Sequence, residues 1–260
     1  MPDSIFRAFK IDHLSASSIN KWTGDRGAWV AHYVFGLKGD VGPAAWRGSA
    51  VEDGLTAYVT RSRIDPLTHA MMTFERDAKG DLDDDVEKER GLVSPMLEQS
   101  ISAWEDAHLG KPVTQQIRVE TWLDGIEIPL VGFADYCMDG YCIDLKTTKA
   151  LPSKPRHDHT LQAAGYALAR NEESAALLYV TAKKHTIHEL DRDQLSDAVS
   201  DLTRRARGLQ NTLTAAWAAG GGDPDRAKLR LAEMCPPNID TFYWSERDFE
   251  TARSQIEAWA

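Results

Sequence analysis

The segment "VGFADYCMDGYCIDLKTT", residues 131–148, puts charged side chains into runs that otherwise have the pattern of buried strands. Asp139-Gly140 separates two apolar runs, and Asp-Gly in that context is a strong signal for a β-hairpin. Asp144 and Lys146 are two residues apart, so their side chains point to the same face of the second strand. Burying two opposite charges on such a face costs desolvation energy, unless the charges pair with each other or bind a third group.

Asp135 lies near the end of the first strand of this hairpin, and the turn brings Asp144 back towards it. Two neighbouring carboxylates repel each other, and one is normally protonated unless a cation lies between them. Carboxylate oxygens with room for water are the ligands that Mg²⁺ prefers. Lys146 could then orient or help deprotonate a metal-bound water, or stabilise charge that develops on a phosphate. The simpler interpretation, an edge-strand ion pair between Asp144 and Lys146, is the more common one for an isolated Asp-x-Lys.

The segments around the hairpin predict an α/β fold with a mixed central sheet flanked by helices. "QIRVETWL" (116–123) would complete a three-stranded meander, "SAALLYVTA" (174–182) is a further strand, and "HTIHEL" (185–190) would pair beside it. Helical patterns lie on both sides of these strands, at about 48–59, 93–110, 159–169 and 191–217. We predict a single domain over residues 1–260, with a core at about 45–190 and helical segments at 1–40 and 191–260.

Composition and charge exclude some classes of protein. No apolar run is long enough to span a bilayer, and the N-terminus lacks the pattern of a signal peptide. Three cysteines fit a reducing, cytoplasmic location. The net charge of −10 argues against a general nucleic-acid coat protein. Residues 145–157 nevertheless contain four basic side chains and no acidic one, so an acidic chain could still offer a basic track to DNA.

The sequence contains few motifs of other kinds of catalytic site. The alternating pair His157 and His159 has no third partner in the sequence and is more typical of a loop than of a metal site. The chain contains no G-x-S-x-G nucleophile motif and no G-x-x-x-x-G-K-[ST] phosphate loop. Covalent hydrolysis and an ATP-driven motor within this chain are therefore not expected.

Four segments in chain order resemble the motifs of the PD-(D/E)XK nuclease superfamily, in its RecB-like and lambda-type phage exonuclease branch. They are "RGSAVEDG" (47–54), "GFAD" (132–135), "DLK" (144–146) and "LQAAGY" (161–166). The resemblance implies a restriction-endonuclease-like core. The proline that gives the family its name is absent before Asp135, where Phe133-Ala134 stand instead. The cysteines that bind an iron–sulfur cluster in some relatives are also missing, so no cluster is expected.

The resemblance also assigns roles to residues of this chain. Glu52, Asp135 and Asp144 would bind a metal ion, Mg²⁺ or alternatively Mn²⁺, with the carbonyl of Leu145 as a fourth ligand. Lys146 would be the catalytic lysine, and Gln162 and Tyr166 would support the site or contact DNA. We expect the DNA backbone to be bound by basic residues near the site, namely Arg47, Lys149, Lys154 and Arg156.

The function that the resemblance implies is a Mg²⁺-dependent DNA exonuclease that acts on duplex ends in recombination or repair, in a bacterial cell or a phage-infected host. It further implies a single-strand annealing protein as a partner and an assembly of several copies. Two alternatives stay open. One is an endonuclease, or a CRISPR-associated type of nuclease without an iron–sulfur cluster. The other is an inactive nuclease-like module that binds DNA.

Overall fold

The computed structural model of the chain describes residues 2–37 and 41–236. The chain divides into two compact units. One contains the described parts of Met1–Asp40 and Asp197–Ala260 together with Glu120–Gly132, and the other contains Val41–Val119 and Phe133–Ser196. The single domain over 1–260 stays a prediction, and residues 237–260 of its C-terminal segment lie outside the described residues.

The described residues form one mixed sheet of five strands. In chain order these are β1 (Thr114–Thr121), β2 (Leu130–Cys137), β3 (Tyr141–Thr147), β4 (Ser174–Val180) and β5 (His185–Leu190). They lie in that same order across the sheet. β2 pairs antiparallel with β3, β3 parallel with β4, and β4 antiparallel with β5. The predicted mixed sheet is confirmed, including the placement of "HTIHEL" beside the fourth strand.

Helices flank this sheet, as predicted. The helices of the described residues, from both units, are α1 Ile5–Ala8, α2 Ala16–Gly24, α3 Arg26–Tyr33, α4 Pro43–Val59, α5 Pro66–Ala78, α6 Asp84–Arg90, α7 Val93–Asp106, α8 His157–Arg170, α9 Arg192–Ala219 and α10 Pro224–Met234. The α/β class predicted from the sequence is confirmed. Among the described residues, no helix is long and apolar enough to cross a membrane.

Helix α4 begins earlier than its apolar pattern predicts. Gly42 is its N-cap and Pro43 is its first residue, five residues before the predicted start at about residue 48. Proline suits that first position because its fixed φ is already helical and its missing N–H has no partner to lose. Further along, a Cβ atom at Gly54 would lie only 2.9 Å from the side chain of Leu97 and 3.0 Å from Ala70. Glycine therefore lets α4 pack closely against α5 and α7.

The two faces of β3 have different roles. Ile143 and Leu145 lie in an apolar core with residues of α4, α5 and α7. Cys142 belongs to a separate buried cluster that includes Tyr166 of α8. Because side chains alternate along a strand, Asp144 and Lys146 point to the same face as Cys142, towards α8. The charged pair therefore lies on the opposite face of the strand from the main core.

The other unit contains the short contact between the N-terminal segment and residues 129–131, at the start of β2. The carbonyl of Pro129 accepts a hydrogen bond from the N–H of Leu14 at 2.9 Å, and the Leu14 carbonyl accepts one from Val131 at 2.7 Å. Ser15 and Ser18 form a reciprocal capping box at the start of α2. Ser15 is therefore the N-cap of this helix.

Candidate active site

The strands β2 and β3 separate next to the predicted site. They are paired at Tyr136–Ile143 and Cys137–Cys142. Beyond these pairs, the side chain of Asp135 rather than a backbone carbonyl accepts the N–H of Leu145, at 2.9 Å from Oδ2. Asp135 is thereby held between the two strands in a buried position. The expectation that the turn brings Asp135 and Asp144 to one place agrees with this geometry.

A connected set of polar contacts runs from Asp144 to helix α8. The ammonium of Lys146 lies 2.7 Å from Asp144 Oδ2 and donates to Gln162 Oε1 at 3.1 Å. Gln162 Nε2 in turn donates to the hydroxyl of Tyr166 at 2.6 Å. Gln162 and Tyr166 are four residues apart, so they lie on one face of α8. The structure thus brings the four predicted residues into one continuous chain of contacts.

Glu52 reaches the same place from helix α4. The hydroxyl of Tyr136 donates to the backbone carbonyl of Glu52 at 3.0 Å and lies 3.1 Å from Thr56 Oγ1. Tyr136 is fully buried, so these bonds fix one turn of α4 against β2. Burial and the charge of Asp144 have the largest effects on the pKa of Glu52, and the side chain of Asp135, next to Tyr136, also contributes. Tyr136 was missed by the sequence analysis because nothing in the sequence pairs it with a helix 84 residues away.

Burial and mutual repulsion perturb all three carboxyl groups. Burial, and then the charge of Asp144, raise the pKa of Glu52 from 4.5 to about 7. The pKa of Asp135 is raised well above its usual range by burial and by the charges of Asp144 and Glu52. Burial also raises the pKa of Asp144, although Lys146 opposes this effect. Three carboxyl groups this close together do not all ionise readily unless a cation binds between them.

Lys146 carries a positive charge in this setting. Burial favours its neutral form, but the charges of Asp144 and Asp135 outweigh burial and raise its pKa above the usual value. An ammonium group that two carboxylates hold in the charged form cannot take up a further proton. Of the two roles expected for Lys146, stabilisation of charge on a phosphate therefore fits this arrangement better than removal of a proton from water.

The donor set fits a divalent metal ion. Among the described residues, neither Glu52 Oε1 nor Asp144 Oδ1 has a hydrogen-bond partner, although both atoms are buried. Unpartnered carboxylate oxygens are the hard ligands of Mg²⁺ and Mn²⁺. No group of three or more His, Cys, Asp or Glu side chains in the described part of the chain already has the spacing of a metal site. Lys146, which contacts Asp144, supplies the positive charge in this arrangement.

Replacing Glu52 by Gln should weaken the pH dependence of stability. Because the folded-state pKa of Glu52 is about 7 instead of 4.5, the folded protein binds more protons than the unfolded chain between these values. The free energy of unfolding should therefore fall as pH rises from 4.5 to 7, by about 3 kcal/mol from this group. Urea unfolding at pH 5 and pH 8 without divalent ions measures the fall.

The matched control for this experiment is Glu98→Gln on α7. Glu98 is exposed, so its replacement should leave the pH dependence of the wild type intact. Equal losses of stability between pH 5 and pH 8 in wild type and Glu52→Gln would contradict the prediction.

Arg47 occupies a different setting from the one its predicted role requires. Its side chain is buried, forms an ion pair with buried Glu89 of α6 and donates to Thr147 Oγ1 at 3.3 Å. A Cβ atom at Gly48 would lie 3.4 Å from the same Thr147 oxygen, so the start of α4 lies close to the end of β3. Arg47 thus joins α4, α6 and β3. Its contact with the DNA backbone stays a prediction.

The other three predicted DNA-binding residues lie on the surface. Lys149, Lys154 and Arg156 are exposed on the connection from β3 to α8. Arg156 forms an exposed ion pair with Asp158 at 2.8 Å. These side chains are available to a DNA backbone, and their role stays a prediction. Leu145 donates its N–H to Asp135, and the metal contact of its carbonyl likewise stays a prediction.

His159 makes contacts that the sequence did not indicate. Its Nδ1 lies 2.9 Å from the hydroxyl of Tyr179, which also accepts the backbone N–H of Arg156 at 3.1 Å. Tyr179 is the neighbour of Lys146 across the parallel β3–β4 pair. Burial, followed by the charge of Lys146, lowers the pKa of His159 to about 4, so the ring is neutral at pH 7. These contacts fix the first turn of α8, one turn before Gln162.

A family comparison agrees with this arrangement of residues. Residues 13–236 match the model of the PD-(D/E)XK nuclease superfamily. The chain belongs to the PD-(D/E)XK nuclease superfamily. It is therefore a nuclease, a hydrolase with DNA as its substrate, and members of the superfamily typically use divalent metal ions. A comparison with curated proteins found no match.

Solved structures resemble this PD-(D/E)XK chain at low sequence identity. A candidate exonuclease from Eubacterium rectale matches with a TM-score of 0.54 and 15% identity, over 77% of this chain and 82% of the other. LHK-Exo in complex with dAMP matches with a TM-score of 0.36 and 9% identity, over 68% and 97%. SSO0001 matches with a TM-score of 0.34 and 16% identity, over 66% and 90%. At these identities, the first likeness supports the fold alone.

Proposed function

We propose that this nuclease is a Mg²⁺-dependent exonuclease of the RecB-like and lambda-type branch, which degrades duplex DNA from its ends in recombination or repair. The observation that carries the proposal is the meeting of Glu52, Asp135, Asp144 and Lys146 around buried, unpartnered carboxylate oxygens. An edge-strand ion pair alone would not need Asp135 and Glu52 beside it. Glu52 four residues after Gly48 favours the lambda-type version of this motif.

In the proposed mechanism, Glu52, Asp135 and Asp144 would hold a divalent metal ion, with the Leu145 carbonyl as a further ligand. A bound divalent ion supplies Lewis-acid activation of the phosphodiester and of the attacking water. The Leu145 N–H orients Asp135, and the Tyr136 hydroxyl fixes the helical turn that carries Glu52. These contacts hold the carboxylates in place before substrate arrives, which avoids the cost of ordering them during the reaction.

Lys146 is the residue that we propose touches the reacting phosphate. Gln162 holds its ammonium group, and Tyr166 in turn holds the amide of Gln162. An ammonium in a partly buried site stabilises developing negative charge more strongly than it would in water. Lys149, Lys154 and Arg156 would bind neighbouring phosphates along the strand. Such contacts would make DNA affinity fall steeply with salt.

The test compares end-labelled linear duplex DNA with covalently closed circular duplex, each incubated with Mg²⁺, with Mn²⁺ or with EDTA. We expect Mg²⁺-dependent loss of the linear DNA while the circle stays intact, because an exonuclease needs an end. Earlier release of the 5′ label than of the 3′ label would give the polarity expected for a lambda-type enzyme. Cleavage of the circle would instead identify an endonuclease.

Two further parts of the proposal rest on the lambda-type resemblance. One is an assembly of several copies, which light scattering of the purified protein measures. The other is a single-strand annealing protein that binds the strand left by digestion.

In the cleavage test, no cleavage of either DNA under any metal condition would favour the inactive DNA-binding module over a nuclease.

A further inference from the structure

Two cysteines face each other directly across the β2–β3 hairpin. Cys137 and Cys142 are partners in the antiparallel register, and the Cys142 thiol donates to Cys137 Sγ at 3.3 Å. Both residues are buried and neither is in a disulfide. The proposed nuclease mechanism uses neither thiol. A disulfide bond measures about 2.05 Å, so the two sulfurs are about 1.2 Å too far apart to be bonded and close enough to become so.

The backbone at this pair has the spacing that a disulfide needs. The carbonyl of Cys137 accepts the N–H of Val113, on the side away from β3. The next pair, Met138 and Tyr141, is hydrogen-bonded across the hairpin at 2.8 Å. Hydrogen-bonded and non-hydrogen-bonded pairs alternate, so Cys137 and Cys142 form a non-hydrogen-bonded pair with Cα atoms about 4.5 Å apart. That spacing lies at the short end of the range that disulfides accept, about 4.4–6.8 Å.

The cysteine pair also packs against a residue of the candidate active site. Cys137, Cys142 and Tyr166 belong to one buried cluster, together with Ala134 and Val119. The Tyr166 hydroxyl accepts from Gln162, which accepts from Lys146. Interiors are close-packed, so a change of about 1 Å between the sulfurs must be taken up by these neighbours. The cluster therefore connects the thiols to Lys146 through two side chains.

We propose that Cys137 and Cys142 are an oxidation site, at which hydrogen peroxide closes a disulfide that lowers nuclease activity. One thiol sulfur attacks the peroxide, so its S–H is replaced by S–OH and water is released. The second sulfur then attacks the sulfenic sulfur, forms the S–S bond and expels a second water. Two thiols are oxidised, one peroxide is reduced to two waters, and a dithiol reverses the reaction. The buried thiols become reachable when the hairpin end opens locally at the Asp139-Gly140 turn.

The first measurement is chemical and does not depend on nuclease activity. The full-length protein is treated with hydrogen peroxide and its thiols are counted under denaturing conditions, with peptide mapping by mass spectrometry. The chain has three cysteines, so we expect the thiol count to fall from three to one, with Cys235 left reduced. Three remaining thiols, overoxidised thiols without a Cys137–Cys142 linkage, or a linkage through Cys235 would each overturn the proposed site.

The second measurement rests on the proposed function and follows cleavage of linear duplex DNA. Oxidation should lower the rate of the wild type by about 10-fold to 100-fold, the scale on which 1 Å misplacements act, and dithiothreitol should restore it. Cys137→Ala and Cys142→Ala should each be insensitive to peroxide, whereas Cys235→Ala should respond like the wild type. Thermal unfolding shows which of these variants fold. If either Cys137→Ala or Cys142→Ala does not fold, the other variant still tests whether the response to peroxide needs the cysteine pair.

The two measurements separate the possible failures. A disulfide that forms without a change in rate would overturn the coupling through Tyr166 while leaving the oxidation site in place. A reduced protein that cleaves no DNA would contradict the proposed function, and the thiol count would still decide the disulfide.

Discussion

Replacing Lys146 by alanine should lower the rate of DNA cleavage by about 10³-fold while leaving DNA binding nearly unchanged. Single preorganised donors to a developing negative charge contribute about 10²–10³-fold. Lys146 is placed for such a role by Asp144 and Gln162 at 2.7 Å and 3.1 Å. Single-turnover cleavage of labelled linear duplex, with Mg²⁺ and saturating enzyme, measures the chemical step apart from binding.

The matched control is Lys149→Ala, three residues further along the chain. Lys149 is exposed, so its loss should weaken DNA affinity and reduce its salt dependence while the rate at saturation stays near that of the wild type. Fluorescence anisotropy with labelled duplex in Ca²⁺ gives the affinity of each variant. Wild-type turnover by Lys146→Ala would rule out the proposed mechanism and leave Lys146 as a structural partner of Asp144.

The parts of the site that follow from local patterns could be predicted from the sequence. The Asp139-Gly140 turn fixes the hairpin, and the two-residue period of a strand places Asp144 and Lys146 on one face. The four-residue spacing of Gln162 and Tyr166 places them together on α8. Each of these relations involves residues that are neighbours within a single element or a single turn. Glu52 is the exception, because only the family resemblance connected it to the strands.

The parts that depend on tertiary packing could not be predicted in this way. Glu89 ends the acidic stretch "KGDLDDDVEKE" (79–89), which has the pattern of a solvated loop or helix start, yet it is buried against Arg47. The sequence also gives no sign that Tyr136 bonds to α4 or that Tyr179 holds the start of α8. A single sequence shows which residues are charged or aromatic, but the partner that allows a charge to be buried lies on another element.

Replacing Arg47 by alanine should destabilise the protein by about 3–5 kcal/mol, the cost of leaving a buried charge without its partner. The side chain of Glu89 is only 7% exposed, and Arg47 is its ion-pair partner in the structure. The variant also loses the contact with Thr147. Urea unfolding at pH 7.5 measures the change. Arg63→Ala is the matched control, because Arg63 is exposed shortly after α4 and its loss should change stability by no more than about 0.5 kcal/mol.

The double variant Arg47→Met, Glu89→Leu separates the two roles that Arg47 could have. Removing both charges leaves no unpaired buried group, so stability should return to within about 1–2 kcal/mol of the wild type. If Arg47 serves only to position α4, the double variant should also recover DNA affinity and its salt dependence. If Arg47 instead binds a phosphate, the single and the double variant should lose DNA affinity equally. In each, the magnitude of the slope of log K against log salt should then be smaller by about 1. The burial of Arg47 favours the first outcome, because a guanidinium paired with Glu89 would have to leave that carboxylate unpaired to reach the DNA.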